Sequence, residues 1–430
     1  MSIVNWPMPK PLFAARLLSA HNIALLAGVM LLFWAPFWSG HRLPVFILLC
    51  VGIYVHARSR QWLPSGGAER RWGAILLLLL IPCLLATPNS YSFRASMTLS
   101  LALALHYWVG IGLLHGMRQG GHVQAAKWIG LTLLFWTLDG GVQFIFGRDL
   151  LGVPLPSGEM RVLGPFNGNL HMGLFICTLM PLLLWPLAKT RPWMAMALFI
   201  PMGAIAALAG ARTNMVFVLL VAIALTFRLP TWKHRIALLL LSLSPALVIP
   251  LSPVLQSRMQ VSATALSNET GQIEQSLFEK LDTISSGRMI LWESAGNMLL
   301  KHPLTGVGPS AFDRAYPNFV TRANDPFRHR NAEGKYAYHA HQMYIGVAAE
   351  TGLIGLAGLL ICIGLIVRWY RQAGAAARAA ANPYAVSLAI IAFPINSQPV
   401  LYAGWWFPIV LLLLCGLLAA LEDVPTASDE

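Results

Sequence analysis

Two histidines one residue apart, His339 and His341, close a polar stretch of about 85 residues that begins at Ser257; an apolar run follows immediately. An imidazole that is neutral near pH 7 can take a proton as a general base or hydrogen-bond a phosphate. The pair could also ligate a metal from a strand. No cysteine or His-Glu-x-x-His partner accompanies it, so no metal site is expected.

Three arginines offer the complementary charge. Arg288 follows Ser285-Ser286-Gly287 and opens a segment, Met289 to Leu300, whose apolar spacing predicts an amphipathic helix with serine at its cap. That helix should stop at Lys301-His302-Pro303. A cation in a first turn opposes the helix dipole, which makes sense if an anion binds beside the free N–H groups. The ordinary alternative is a solvated side chain, at a cost of a few tenths of a kcal/mol. Arg212 sits in Ala209-Gly-Ala-Arg-Thr213, a short hinge between two apolar runs. Guanidinium there can bind phosphate oxygens two at a time, on a lipid headgroup or on an anionic substrate. Arg161 belongs to a Gly/Pro-rich connection before another apolar run, where interfacial snorkelling is the ordinary role. Asp139 and Glu350 fall inside apolar runs, where a carboxylate is costly unless paired. For Glu350 helix packing beside nearby glycines is the bland reading, and Asp139 has the weaker functional case.

The elements that must carry these residues are hydrocarbon-seeking. Of 430 residues 57% are hydrophobic and 11% charged, and the mean hydropathy is +0.62. A soluble domain is nearer one quarter charged, so the chain reads as an all-α polytopic membrane protein. Apolar runs of spanning length fall near 20–38, 42–57, 72–88, 95–117, 125–147, 169–187, 193–210, 213–228, 236–255, 342–367, 383–400 and 403–421. That gives about twelve transmembrane helices. Residues 1–255 carry nine, 256–341 form one large, partly helical loop, and 342–430 carry three and a short tail. An even number places both termini on one side. With the termini inside, sixteen Lys/Arg face the cytoplasm; the short outer connections carry only Arg42, Arg94, Arg148, Arg161 and Arg212. The long loop therefore faces outward. Most of the +13 net charge is this topology signal, and it gives no reason to invoke nucleic acid. No cleavable signal peptide is evident. All five cysteines fall in apolar runs and read as small buried residues. No phosphate-binding glycine loop is present, so ATP-driven chemistry is not expected.

At this point the residues match a known pattern: His followed by Asn, Ser or Gln, nine residues, Gly, two residues, then Gly, Thr or Tyr. His341-Gln342, Met343 to Thr351, Gly352, Leu353-Ile354 and Gly355 meet it, with Gln342 where Asn is commoner. This resembles the signature of the bacterial O-antigen ligases, within the superfamily of O-antigen ligases and polymerases. The segment Arg288-Met-Ile-Leu-Trp292, His302-Pro303-Leu-Thr-Gly306-Val-Gly308 and Phe312, and the Gly-Ala-Arg212-Thr hinge, are similar to it as well. The resemblance implies a GT-C-like glycosyltransferase architecture in the bacterial inner membrane, with the active site facing the periplasm. It implies transfer of O-antigen polysaccharide from undecaprenyl diphosphate to a hydroxyl of lipid A–core in lipopolysaccharide biosynthesis, with no cofactor. Arg161, Arg212 and Arg288 are then candidates to hold the diphosphate among the membrane lipids, and Arg288 to act on the departing charge. His341 is the candidate base, with His339 a supporting contact or the alternative base. Direct in-line attack would invert the anomeric centre.

Three other functions fit parts of this pattern. An O-antigen polymerase would use the same donor on a second lipid-linked glycan. A protein O-oligosaccharyltransferase would transfer to Ser or Thr, but such enzymes often carry additional C-terminal sequence. A transporter of polyprenyl-linked sugars would place charges at mid-membrane and often shows repeated halves; here few charges fall within the runs and no repeat is visible.

Overall fold

The computed structural model describes residues 19–422 apart from 38, 61, 65, 157–160, 167–170, 211, 252, 254–255, 258, 262, 264–275, 324, 330–335, 338 and 397–400. Lys10 and Arg16, which enter the charge asymmetry, lie outside the described residues, as does the end of the predicted 383–400 segment. Among the described residues the fold is helical, with no strand beyond one isolated bridge between Arg148 and Pro154.

A helix meets each predicted apolar segment. In the first part of the chain these are α1 (Ala20–Phe33), α2 (Arg42–Ser59), α3 (Gly67–Ala86), α4 (Phe93–Met117), α5 (Gly121–Phe146), α6 (Met172–Thr190), α7 (Pro192–Leu208), α8 (Arg212–Thr226) and α9 (Trp232–Leu241). The polar stretch contributes α10 (Leu277–Ser285), α11 (Arg288–Lys301) and the single turn α12 (Phe312–Ala315). The apolar remainder forms α13 (Met343–Gln372), α14 (Ala375–Ile391) and α15 (Phe407–Ala420). Among the described residues α2, α4, α5, α6 and α13 are long and apolar enough to cross a membrane, and α1, α7, α8 and α15 are shorter apolar helices.

Two helices depart furthest from the predicted boundaries. The 236–255 segment breaks after Leu241 into a 3₁₀ stretch, Ser244–Leu251, that contains Pro250. Pro245, four residues after Leu241, has no N–H to give the Leu241 carbonyl, so the α-helical ladder ends there. Helix α14 begins eight residues before its predicted start, because the run Ala375-Ala-Ala-Arg-Ala-Ala-Ala381 favours helix by intrinsic propensity although it is less apolar than a span.

The bundle packs through one large apolar cluster in which α6 and α15 are largely enclosed. Against lipid such packing rests on close van der Waals fit more than on the expulsion of water. The polar stretch builds a second cluster from Leu291, Met298, Val307, Phe312, Tyr316 and Ala349, and this one seats α11 on the first turns of α13. Here burial removes apolar surface from water, and truncating a buried Leu or Met to Ala costs roughly 2–5 kcal/mol.

Buried polar side chains tie the connections to the helix ends. Asp139 Oδ1 accepts the Leu150 N–H at 2.8 Å, and Gln143 Oε1 accepts the N–H groups of Leu163 and Gly164, both at 2.8 Å. The Asp139 and Gln143 side chains thus pin the loop that carries Arg161. Glu350 does the same for the polar stretch, accepting from Ser310 N at 2.9 Å and Phe312 N at 3.4 Å.

Candidate functional site

The two histidines sit at the entrance to α13, held from three sides. Gln342 caps the helix through a 2.6 Å bond from Ile345 N to its Oε1, while its Nε2 donates to Pro394 O at 3.2 Å. Trp292 of α11 donates its indole N–H to Ala340 O at 2.9 Å. His341 takes a left-handed conformation, φ 51°, which costs a non-glycine residue about 1 kcal/mol. Such strain is found where the surrounding structure fixes a side chain for use. The two rings lie 4.0 Å apart between centroids.

Their roles differ because of one bond. The His341 backbone N–H donates to His339 Nδ1 at 3.0 Å. Nδ1 is therefore an acceptor, and the proton of the neutral His339 ring sits on Nε2. Burial, then His341, His171 and Arg288 nearby, push the His339 pKa down to about 3. His339 is a neutral hydrogen-bond donor through Nε2–H and a poor proton acceptor.

Each predicted arginine is engaged, and the three contacts connect. Arg288 opens α11 and acts electrostatically on His339. The predicted serine cap is corrected here: the N-cap is Gly287, Ser286 closes α10 in the left-handed region, and Asp282 Oδ1 accepts the Ile290 N–H at 3.2 Å. Gly287 can hold its φ of 81° without the Cβ penalty that serine would meet. Arg212 opens α8 and donates Nη2 to Ser286 Oγ at 2.7 Å, joining the hinge to the residue two before Arg288. Arg161 is buried, with Nε donating to Ala209 O at 2.6 Å, and its neighbour Val162 N bonds Leu208 O at 3.1 Å. Its side chain lies against the hinge backbone, unlike a snorkelling anchor.

Sequence reasoning missed three residues. His171, at the start of α6, packs tilted against Trp405 with ring centroids 4.2 Å apart and is among the neighbours that disfavour protonation of His339. Arg94 and Arg314 line a cavity of about 940 Å³ that opens between the start of α4, the 310–314 turn and the start of α13. His339, Gln342, Glu350 and Tyr402 share its wall, whereas Arg161, Arg212 and Arg288 do not. Arg94 and His171 come from segments far from the histidines in sequence, so no local pattern could have found them. Below the cavity an apolar cleft of about 250 Å³ runs among α3, α13, α14 and α15, and Met343 and Leu401 line both.

Gly352 fixes the direction in which α13 presents this entrance. Its φ of 66° and ψ of −165° interrupt the helix in a region open essentially to glycine alone. A Cβ there would lie 2.2 Å from Leu304 O. The freed backbone pairs with the polar stretch instead: Leu353 N donates to Pro303 O at 2.8 Å, Val307 N to Ala349 O at 2.9 Å and Gly308 N to Glu350 O at 2.9 Å. The loop and α13 are thereby zipped together at the level of the site.

Chemically the arrangement offers two neighbouring imidazoles, one of them a neutral donor through Nε2–H, with guanidinium groups on two sides. Among the described residues no group of three or more His, Cys, Asp or Glu could hold a metal ion. Residues 197–360 match the family described as O-antigen ligase. The match takes in Arg212, Arg288, His339 and His341 and leaves Arg161 outside. No curated protein matches the chain.

Proposed function

From the premise that residues 197–360 form an O-antigen ligase-type domain in a helical membrane protein, we propose that the chain is the O-antigen ligase itself. It transfers O-antigen polysaccharide from undecaprenyl diphosphate to a hydroxyl of lipid A–core. In this reading the chain crosses the bacterial inner membrane twelve times with both termini in the cytoplasm. The 256–341 loop and the site then face the periplasm.

The observation that carries the reading is the pair of neighbouring rings with unequal proton chemistry, set between a chain of arginines and a cavity. His341 takes the proton of the acceptor hydroxyl. The acceptor oxygen attacks the anomeric carbon, the bond from that carbon to the phosphate oxygen breaks, and its electron pair leaves with undecaprenyl diphosphate. In-line displacement inverts the anomeric centre. A positioned general base contributes about 10²- to 10⁴-fold. His339 Nε2–H and Arg288 stabilise the charge developing on the departing phosphate, and Arg212 and Arg161 extend that positive wall. The diphosphate is already a leaving group, so the reading uses no nucleotide, and the arginines supply charge that a cation would otherwise bring.

The test is reconstitution: purified protein, undecaprenyl-diphosphate glycan and rough lipopolysaccharide, assayed for capped product. Elongation of the lipid-linked glycan in place of capping would make the protein a polymerase, and transfer to a peptide Ser or Thr would make it a protein O-oligosaccharyltransferase.

A further inference from the structure

The cavity beside His339 is unexplained by the donor reading, because the three arginines assigned to the diphosphate lie off its wall. In-line displacement puts the attacking hydroxyl and the departing diphosphate on opposite sides of the anomeric carbon, so the acceptor needs an approach apart from the arginines. The cavity is the remaining approach, and its size is at the upper end of small-ligand sites, which run to about 1,000 Å³. Its chemistry suits sugars. Ser92, Thr98, Ser310, Gln342 and Tyr402 offer hydroxyl and amide groups around a partly apolar surface.

The charges within it are unequal in their engagement. Glu350 is turned onto the N–H groups of Ser310 and Phe312. Asp313 faces Arg314 at 3.5 Å. Arg94, exposed in the first turn of α4, pairs with no carboxylate among the described residues. Its guanidinium is the cation in this cavity left to meet an incoming anion.

We propose that this cavity is the acceptor subsite, taking an acidic oligosaccharide whose phosphate or carboxylate lies on Arg94 while a neighbouring hydroxyl reaches the histidines. The proposal rests on the glycosyl-transfer reading for its purpose, and its test does not depend on turnover.

Binding of core oligosaccharide to the full-length protein in detergent, without donor, is measured for wild type, Arg94→Gln and Arg94→Lys. The ligand is supplied native, phosphatase-treated and carboxyl-reduced. Loss of one charge-assisted contact should weaken native-core binding about tenfold in Arg94→Gln, with Arg94→Lys less affected. On the form that lacks the recognised anion, wild type and Arg94→Gln should bind alike, which also tells phosphate from carboxylate. Arg94→Gln binding native core as tightly as wild type would overturn the proposal. So would displacement of the core by undecaprenyl diphosphate, which would make the cavity a donor site. Failure of wild type to transfer glycan would sink the reaction and leave this binding result standing.

Discussion

Replacing Trp292 by Phe removes the indole N–H and part of the ring that packs on the second cluster while keeping an aromatic side chain, and it tests whether the histidine turn is held for catalysis. The indole bond to Ala340 O, 2.9 Å long, is the direct tie between α11 and the residue between the two histidines. Ala340 is 1% exposed, so its carbonyl loses the indole donor in a buried setting. Leaving a buried acceptor short of its partner costs about 1–3 kcal/mol. That loss falls on a turn already strained by the left-handed His341, so the turn should relax before the fold does. If the whole cost appears as depopulation of the competent turn, kcat falls about 5- to 150-fold. The arginines are untouched, so the donor KM should stay within about twofold of wild type. Initial rates against donor concentration, with a melting curve of the same preparation, measure both. Wild-type kcat in Trp292→Phe would refute the reasoning, and so would a loss confined to donor KM in a protein that melts normally.

Further outcomes follow from the same geometry. Arg→Lys at 161, 212 and 288 should each lower turnover about tenfold or more, since lysine keeps the charge and loses the two-pronged contact. Arg212→Lys is the sharpest of these, because wild-type turnover there would reduce Arg212 to a tie between the hinge and Ser286. Gly352→Ala meets both a forbidden φ and a backbone oxygen 2.2 Å away, so it should destabilise by about 3 kcal/mol or more. A wild-type melting temperature for that variant would show that the kink is not needed. His339 binds its proton at about 3 when folded against 6.5 ordinarily. The unfolded chain therefore holds more protons across that window, and stability falls as pH drops below 6.5, by up to about 1.4 kcal/mol per unit. His339→Gln should lose less stability than wild type between pH 7 and pH 5; parallel losses would remove His339 as the source.

Much of the bundle is legible because span-length apolar runs leave few alternatives to helix. The break after Leu241 and the early start of α14 were missed because hydropathy reports neither a proline's missing donor nor alanine's propensity. The histidine turn, Gly352 and Arg288 carry local signals in cap, spacing and helix start. Ser286 misled because a serine before a helix can as easily end the preceding one, and Gly287 between them decides the matter through its positive φ. Arg161 looked like an interfacial anchor because sequence places it beside a span; only tertiary structure lays it on the Ala209 carbonyl. His171, Arg94 and Arg314 come to the site from three distant segments, and no spacing encodes that.

In the proposed reaction His341 moves the proton, and neither a metal nor a nucleotide takes part. The most direct test is the rate of capping by purified wild type and His341→Ala with undecaprenyl-diphosphate glycan and rough lipopolysaccharide, in EDTA and without nucleotide. The account predicts capped, anomerically inverted product from wild type and a rate at least about 10²-fold lower from a folded His341→Ala protein. Near-normal capping by His341→Ala, or activity in wild type only when a divalent ion or nucleotide is restored, would contradict it.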